Sequence, residues 1–147
     1  MKNDIEYLDI VNEILNHEEF NKLKNYKHHG INRYDHCVRV SYWSYKFTKK
    51  LHMDYKSIAR AGLLHDFFLV NNQELKIFPR VKVLITHPKL ALENSKKYFD
   101  INKLEENIIL THMFPINLRV PTRLASWIVD TIDNIASIYE RLYSFVK

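Results

Sequence analysis

Four histidines and two aspartates, most of them set in apolar stretches, are the residues of this sequence that could do chemistry together. In chain order they are His36, His65, Asp66, His87, His112 and Asp133. Neutral imidazole and carboxylate groups are both ligands of transition metals. A single adjacent His-Asp pair is common, but an ordered set of this kind predicts a shared metal site.

The donors in this set would suit a site with two metal ions. Adjacent side chains of a helix point about 100° apart, so the His-Asp pair can reach one ion only near the end of a closely packed helix. We expect His36 and Asp133 to approach that ion from two other helices. Asp66, with two oxygens, could bridge to a second ion held by His87 and His112. Two ions about 3.5–4 Å apart would share a hydroxide as nucleophile and offset the charge on phosphate oxygens during displacement.

Two aspartates of the C-terminal helix, Asp130 and Asp133, could be the last acidic ligand, and they lie on different sides of that helix. One row along this helix is polar and predicts a solvated surface: Arg123, Ser126, Asp130, Asn134, Ser137 and Arg141. A second row lies closer to the expected core: Val129, Asp133, Ala136 and Glu140. A carboxylate on the second row needs a partner, because burying an unpaired charge is costly. The pattern therefore favours Asp133 as the ligand, with Asp130 as the alternative.

Long helices joined by short connections are predicted to carry these residues. The chain has two glycines and four prolines, which provide little turn chemistry for a multi-stranded sheet. Hydrophobic periodicity predicts an all-α, compact bundle of about six helices, over residues 4–26, 33–51, 55–68, 88–99, 103–113 and 122–145. We expect Asp54 to cap the third of these helices, and Asn102 with Glu105 to cap the fifth.

Two segments carry further expectations. The helix over residues 33–51 is predicted to bury a stripe made of His36, Val40, Trp43, Phe47 and Leu51. Pro88 suits the first position of a helix, which would make His87 its N-cap. A histidine in that position could serve as a cap alone, without binding metal. The segment before it is ambiguous, because Val81, Val83 and Ile85 alternate like a short strand.

Length, composition and charge limit the number of domains, the partners and the location that we expect for this protein. The chain has 147 residues, which predicts one domain over residues 1–147. Its formal net charge of +5 suits an anionic ligand, but its lysines are scattered, so nucleic acid is not an expected partner. Cys37 is the single cysteine and is expected to pack as a small hydrophobe. No apolar run reaches membrane-spanning length, so we expect a cytoplasmic protein without a membrane partner; a homodimer is compatible with the sequence.

The motifs around these residues resemble those of the HD-domain superfamily of metal-dependent phosphohydrolases, in a branch of small bacterial proteins. The order H…HD…H…H…D is typical of that family, and the segments LLHDFFL, THPKLALENS, THMFP and VDTIDNIASIYE are similar to it. The resemblance covers roughly residues 33–140. It implies that His36, His65, Asp66 and Asp133 hold the first metal ion. His87 and His112 would then complete a second site.

Two departures from the family pattern bear on the substrate. Many members carry a lysine three residues after the HD aspartate, where it contacts substrate phosphate; here that residue is Leu69. The features of the cyclic-dinucleotide phosphodiesterase branch are also missing after His112. Other basic residues must therefore hold the phosphate, and the candidates are Arg119 and Arg123, followed by Arg33 and Lys82.

The leading hypothesis is a metal-dependent phosphohydrolase that cleaves a phosphate ester of a nucleotide or a small phosphorylated metabolite. One or two divalent ions would be the cofactor: Fe, Mn, Co, Ni or Zn, with Mg as a further candidate. Asp66 and His65 would be the central catalytic pair, with Asp66 bridging the ions or orienting the attacking water. Two alternatives stay open: a di-iron oxygenase of the same fold, and a non-catalytic sensor that binds nucleotide or metal.

Overall fold

The chain folds into helices with one very short hairpin, in a computed structural model that describes residues 4–28, 30–69 and 80–145. The α-helices are α1 (Ile5–Leu15), α2 (Glu18–Asn21), α3 (Arg33–Lys50), α4 (Tyr55–Leu64), α5 (Arg80–Tyr98), α6 (Lys103–Thr111) and α7 (Leu124–Phe145). A 3₁₀ turn (Lys22–Asn25) follows α2, and the antiparallel strands β1 (Lys27–His28) and β2 (Ile31–Asn32) precede α3. The all-α expectation is confirmed. Among the helices described, none has the length and apolarity needed to cross a membrane.

Short polar side chains fix where several helices begin. Asp54 accepts a hydrogen bond from the backbone N–H of Ser57 at 3.2 Å, as expected for the start of α4. Asn102 and Glu105 form the expected reciprocal capping box at the start of α6. Asn32 caps α3 in the same way. These boundaries are local, because each depends on a side chain within three residues of the amide that it satisfies.

The predicted N-terminal helix over residues 4–26 is wrong in its length. The helix α1 ends at Leu15, and a new helix starts three residues later. His17 lies in the gap, where its ring nitrogen Nδ1 accepts a hydrogen bond from the backbone N–H of Glu19 at 3.2 Å. The break turns the chain, so Phe20 is fully buried and contacts Phe67, which follows the His-Asp pair.

The helices α3 and α4 approach closely at Gly62. A Cβ atom on Gly62 would lie 3.0 Å from the Cα atom and 3.3 Å from the backbone nitrogen of Ser41. Ser41 itself donates a hydrogen bond to the carbonyl oxygen of Ala59 at 2.6 Å, which ties α3 to α4 at this crossing. This contact matters for chemistry, because α3 carries His36 and α4 leads into the His-Asp pair.

Replacing Gly62 with valine should therefore destabilise the protein. The added side chain would push against backbone atoms of α3, and overpacking of this kind costs about 1–3 kcal/mol. The free energy of unfolding, measured by urea denaturation, is expected to fall by about that amount. The matched control is Lys56→Val on the exposed side of α4, which should cost less than about 1 kcal/mol, the usual helix-propensity penalty. Equal losses in the two variants would contradict the close approach.

The buried stripe predicted for α3 is only partly right. His36 and Val40 are fully buried, but Phe47 and Leu51 are 50% and 51% exposed. The face of α3 that packs inward is rotated toward small and polar residues, and its buried members include Ser41, Ser44, Tyr45 and Thr48. Small side chains on this face allow α4 to come close, and the larger apolar residues are left outside.

The start predicted for the next helix is wrong. The helix α5 begins at Arg80, so His87 and Pro88 lie inside it rather than at its first turn. The strand-like alternation of Val81, Val83 and Ile85 belongs to the same helix. An interior proline removes its own N–H donor and crowds the carbonyl group four residues earlier, a local cost that a long helix can accommodate. The earlier part of the ambiguous segment, residues 70–79, lies outside the described residues.

Candidate metal centre

The six candidate ligands converge from different helices. His36 lies in the second turn of α3, His87 in the middle of α5, and Asp133 in the middle of α7. His65 and His112 are the C-cap residues of α4 and α6. Asp66 follows in the turn after α4, where the backbone N–H of Phe68 donates to its carbonyl oxygen at 2.8 Å. The chain thus leaves the helix at the His-Asp pair, and both side chains can turn toward one centre.

One group of donors surrounds Asp133. The Nε2 atom of His36 lies 2.9 Å from Oδ1 of Asp133, and Nε2 of His65 lies 3.7 Å from the same oxygen. On its other side, Nε2 of His65 is 4.0 Å from Oδ2 of Asp66. His36, His65 and Asp66 each offer an atom within 4.8 Å of the other two.

A second group of donors surrounds the other oxygen of Asp66. Its Oδ1 atom lies 3.2 Å from Nε2 of His87 and 3.5 Å from Nε2 of His112. The two Nε2 atoms are 3.0 Å apart. Because Oδ1 faces this group and Oδ2 faces His65, Asp66 is shared between the two groups of donors. This is the geometry of a carboxylate able to bridge two ions.

The remaining nitrogen of each of the four histidines is held by an acceptor outside the centre. The Nδ1 atoms of His65, His87 and His112 lie 2.8, 3.0 and 2.7 Å from the carbonyl oxygens of Gly62, Val83 and Ile109. Since a carbonyl oxygen only accepts, Nδ1 carries the proton in each bond. In a neutral ring the Nε2 atom then carries a lone pair that points at the centre, as in histidines that bind metal.

The donor set fits a metal ion on two grounds. Donors bound to one ion at about 2.1 Å with angles near 90–110° lie roughly 3–3.5 Å apart, and the separations within the second group fall between 3.0 and 3.5 Å. Two Nε2 lone pairs cannot face each other at 3.0 Å unless a proton or a metal ion lies between them. In addition, Nε2 of His65 is buried and has no hydrogen-bond partner among the described residues.

Burial and neighbouring charges set the protonation of the centre. Burial would raise the pKa of Asp66, but His65, His112 and His87 outweigh it and hold that pKa well below its usual value. Burial likewise opposes ionisation of Asp133, yet contact with His36 and His65 lowers its pKa to about 2. Burial lowers the pKa of His65 to about 4. At neutral pH the centre therefore offers two carboxylates and a neutral His65, the forms that bind metal.

Glu140 supports the centre and was not among the predicted site residues. Its Oε2 atom accepts from Nδ1 of His36 at 2.9 Å, and its other oxygen pairs with Arg39. Burial would lower the pKa of His36, but Asp133 and Glu140 raise it to about 10. The signal was in the sequence, because Glu140 lies on the same buried row as Asp133. A metal ion at Nε2 of His36 would replace a proton there while Glu140 kept the ring oriented.

Changing Glu140 to glutamine should weaken metal binding without removing a ligand. An amide can still contact Nδ1 of His36 but no longer carries the charge that supports the ring, and losses of such partners typically cost 10–100-fold in affinity. Competition with a chromophoric chelator would measure the change. Glu93→Gln, on a side chain 58% exposed and far along α5, is the matched control. An affinity equal to that of wild type would contradict the supporting role.

A cavity of about 440 Å³ opens beside the donors. Four of the candidate ligands line one side of it: Asp66, His87, His112 and Asp133. An apolar wall is made by Phe68, Val83, Met113, Ile116 and Ile138. A polar wall is made by Asn134, Ser137 and Arg141. A volume in the range of roughly 300–1,000 Å³ is typical of small-molecule sites. The centre is thus buried yet reachable by a ligand.

The basic residues predicted to bind phosphate lie elsewhere or are engaged. Arg119 and Arg123 are exposed and are not among the residues that line the cavity. Arg33 is buried, donates to the carbonyl oxygen of Phe68 at 2.6 Å and stacks on its ring, so it steadies the turn after the His-Asp pair. Lys82 is exposed on α5 beside Val83. The phosphate-binding role of these four residues stays a prediction.

The polar row predicted to face solvent does so only in part, since Arg123, Asn134 and Arg141 are exposed. Ser126 and Asp130 are 1% and 8% exposed, and Asn134, Ser137 and Arg141 further along line the cavity. Burial and the charge of Asp133 raise the pKa of Asp130 to about 6. A polar row can face a polar cavity as well as bulk water, and periodicity does not distinguish the two. The contacts described for the centre involve Asp133, on the neighbouring row.

Comparison with known families agrees with this geometry. The family model for the HD domain matches residues 33–138, which include all six candidate ligands. The chain therefore belongs to the HD-domain family, which falls within a superfamily of metal-dependent hydrolases. Searches of curated proteins and of solved structures find no match to this chain.

Proposed function

We propose that this protein is a metal-dependent phosphohydrolase that cleaves a phosphate ester of a nucleotide or another small phosphorylated metabolite. The observation that carries the proposal is the division of the Asp66 oxygens, with Oδ1 at 3.2 Å from His87 and Oδ2 toward His65. A carboxylate so placed can serve two ions at once. Membership of the HD-domain family supports the same reaction class.

The bound ions would supply Lewis acidity that activates a water molecule near neutral pH and offsets charge on phosphate. The protein contributes orientation and charge. Asp66 would hold both metal positions and orient the attacking water. Hydrogen bonds from Nδ1 to Gly62, Val83 and Ile109 fix three of the imidazole rings, so little reorganisation is needed during reaction.

The cavity walls suggest how a substrate would be held. We infer that Arg141, with Asn134 and Ser137 beside it, takes the role of the missing lysine at position 69. A guanidinium group matches phosphate oxygens in a two-point contact. The apolar wall, which includes Phe68, Met113 and Ile116, would accept a flat or apolar group such as a nucleobase. This combination favours a nucleotide over a small polar sugar phosphate.

Replacing Arg141 with methionine should then reduce kcat/KM for a phosphate ester by about 10–100-fold, the value of one lost charge-assisted hydrogen bond. Methionine keeps much of the length, so the change isolates the charge. Arg123→Met is the matched control, because Arg123 is exposed and outside the cavity lining. If only Arg123→Met lowers kcat/KM, Arg123 rather than Arg141 holds the phosphate.

The proposal is tested by metal analysis of the purified protein, followed by a screen of phosphorylated metabolites with Mn, Co, Ni, Fe and Mg. Release of inorganic phosphate that depends on added metal supports it. Two results would contradict it: oxygen uptake with Fe and no phosphate release, as for an oxygenase, or tight nucleotide binding without turnover under any metal, as for a sensor.

A further inference from the structure

The helix α7 carries a second apolar face, on the side away from the metal centre. Helical spacing places Leu124, Trp127, Thr131, Ile135 and Leu142 along this outer face, and Ile138 lies at the border between this face and the cavity. Its apolar members are exposed, from 41% for Trp127 to 68% for Leu124. On the opposite side, Ala125, Val129 and Ala136 are buried in the core. A helix that is apolar on two sides is normally covered on both.

The outer face is also uncharged. The helix has four charged residues, Asp130, Asp133, Glu140 and Arg141, and none of them lies on this face. They belong instead to the rows that face the core, the metal centre and the cavity. The exclusion of charge from the most exposed side of the helix is the reverse of what solvation favours.

The patch is large enough for a stable interface. Phe47 and Leu51 extend it, and so do Tyr139, which contacts Trp43 of α3, and Tyr143. These four added side chains, Phe47, Leu51, Tyr139 and Tyr143, are each about half exposed. An aromatic side chain has roughly 150–250 Å² of surface, so half exposure leaves about 100 Å² apiece. The patch therefore presents on the order of 800 Å², which is about what each partner buries in a standard-size interface.

The chemistry of the patch points to a second copy of this chain. A groove lies between Phe47, Trp127 and Ile135, and Ile128, Thr131 and Ile132 also line it. The same surface thus has both a recess and protruding apolar side chains, the self-complementarity that a twofold interface needs. We propose that the outer face of α7 is a homodimer interface. This inference does not depend on the proposed hydrolase activity.

A membrane surface is a poorer occupant. Interfacial helices set lysine and arginine along the polar side of the helix, where they meet lipid headgroups. The polar side of α7 carries a single basic residue, Arg141, and its three acidic residues, Asp130, Asp133 and Glu140, are turned into the protein. An uncharged face also reduces repulsion between two copies that each carry a net charge of +5.

Light scattering during size-exclusion chromatography tests the proposal. Wild type at micromolar concentration should have twice the 17.7 kDa mass of one chain. Ile135→Lys should raise the dimer dissociation constant at least about 30-fold, as for a central hot-spot residue, while circular dichroism stays unchanged. Leu142→Lys is a second variant in case the first fails to fold. Ile5→Lys, on an exposed isoleucine of α1, is the matched control and should remain dimeric.

Three outcomes would overturn the interface. One is a monomeric wild type at every concentration, and another is a dimer that survives both lysine substitutions in α7. The third is a monomer that cosediments with vesicles of phosphatidylcholine and phosphatidylserine through the same face. A wild-type protein that is dimeric but has no phosphohydrolase activity would contradict the proposed function and leave the dimer interface standing.

Discussion

Asp66→Asn is expected to abolish binding of both metal ions. The substitution keeps the size of the side chain and one oxygen, but it removes the charge and the second oxygen donor. Because Oδ1 faces His87 and His112 while Oδ2 faces His65, each metal position loses a ligand at once. Metal affinity should fall by more than the 10–100-fold typical of an outer partner.

Under the proposed function, hydrolysis should fall with metal binding, on the order of 10⁴-fold or more, since the bound metal would supply the Lewis acidity that activates water near neutral pH. Elemental analysis and phosphate release, measured on the same sample, connect the two effects. Glu105→Gln is the control for replacing a buried carboxylate, because Glu105 is 1% exposed and pairs with Arg60, away from the centre. Retained turnover in Asp66→Asn would refute the mechanism.

Asp133→Asn and Asp130→Asn form a second, matched pair with opposite expectations. Both residues are on α7, one helical turn apart. Asp133 contacts His36 at 2.9 Å and lies 3.7 Å from His65, whereas no contact of this kind joins Asp130 to a described histidine. We expect Asp133→Asn to lose the ion at His36 and His65, and to keep the one at His87 and His112.

The measured quantity is the number of ions bound per chain, by elemental analysis and by calorimetric titration. Asp133→Asn should bind one ion fewer than wild type. Its activity should fall at least about 100-fold, because loss of a residue that binds the metal costs more than loss of a residue that only hydrogen-bonds to such a ligand. Asp130→Asn should bind the wild-type number. The reverse result would make Asp130 the ligand and leave Asp133 as its neighbour.

Local features of the sequence were sufficient for much of the fold. The caps at Asp54 and Asn102 act within a few residues, and the helices that they start were predicted correctly at that end. Gly62 lacks a side chain where the backbone of Ser41 comes close, so residue type alone permits the crossing of α3 and α4. Pro88 shows the limit of such rules, since its preference for a first turn did not outweigh the helix formed around it.

Errors arose where a pattern has two physical meanings. The row from Ser126 to Arg141 is buried at Ser126 and Asp130 and borders a cavity farther along, yet its spacing is the same as that of a solvated row. Phe47 was assigned to the core because it is apolar, although it lies on an outer patch. In each case hydrophobic periodicity shows which residues share one side of a helix, but it does not show what packs against that side.

The sequence by itself determined the helical class and the order of the six donor residues, and it predicted Asp133 as the carboxylate ligand of the last helix. These follow from residue type and helical spacing, which are properties of single segments. Only the tertiary structure decided that Asp66 divides its oxygens between two groups of donors, that Glu140 holds His36, and that Arg141 borders the cavity. Those relations join residues many positions apart, so they depend on how the helices pack and not on any one of them.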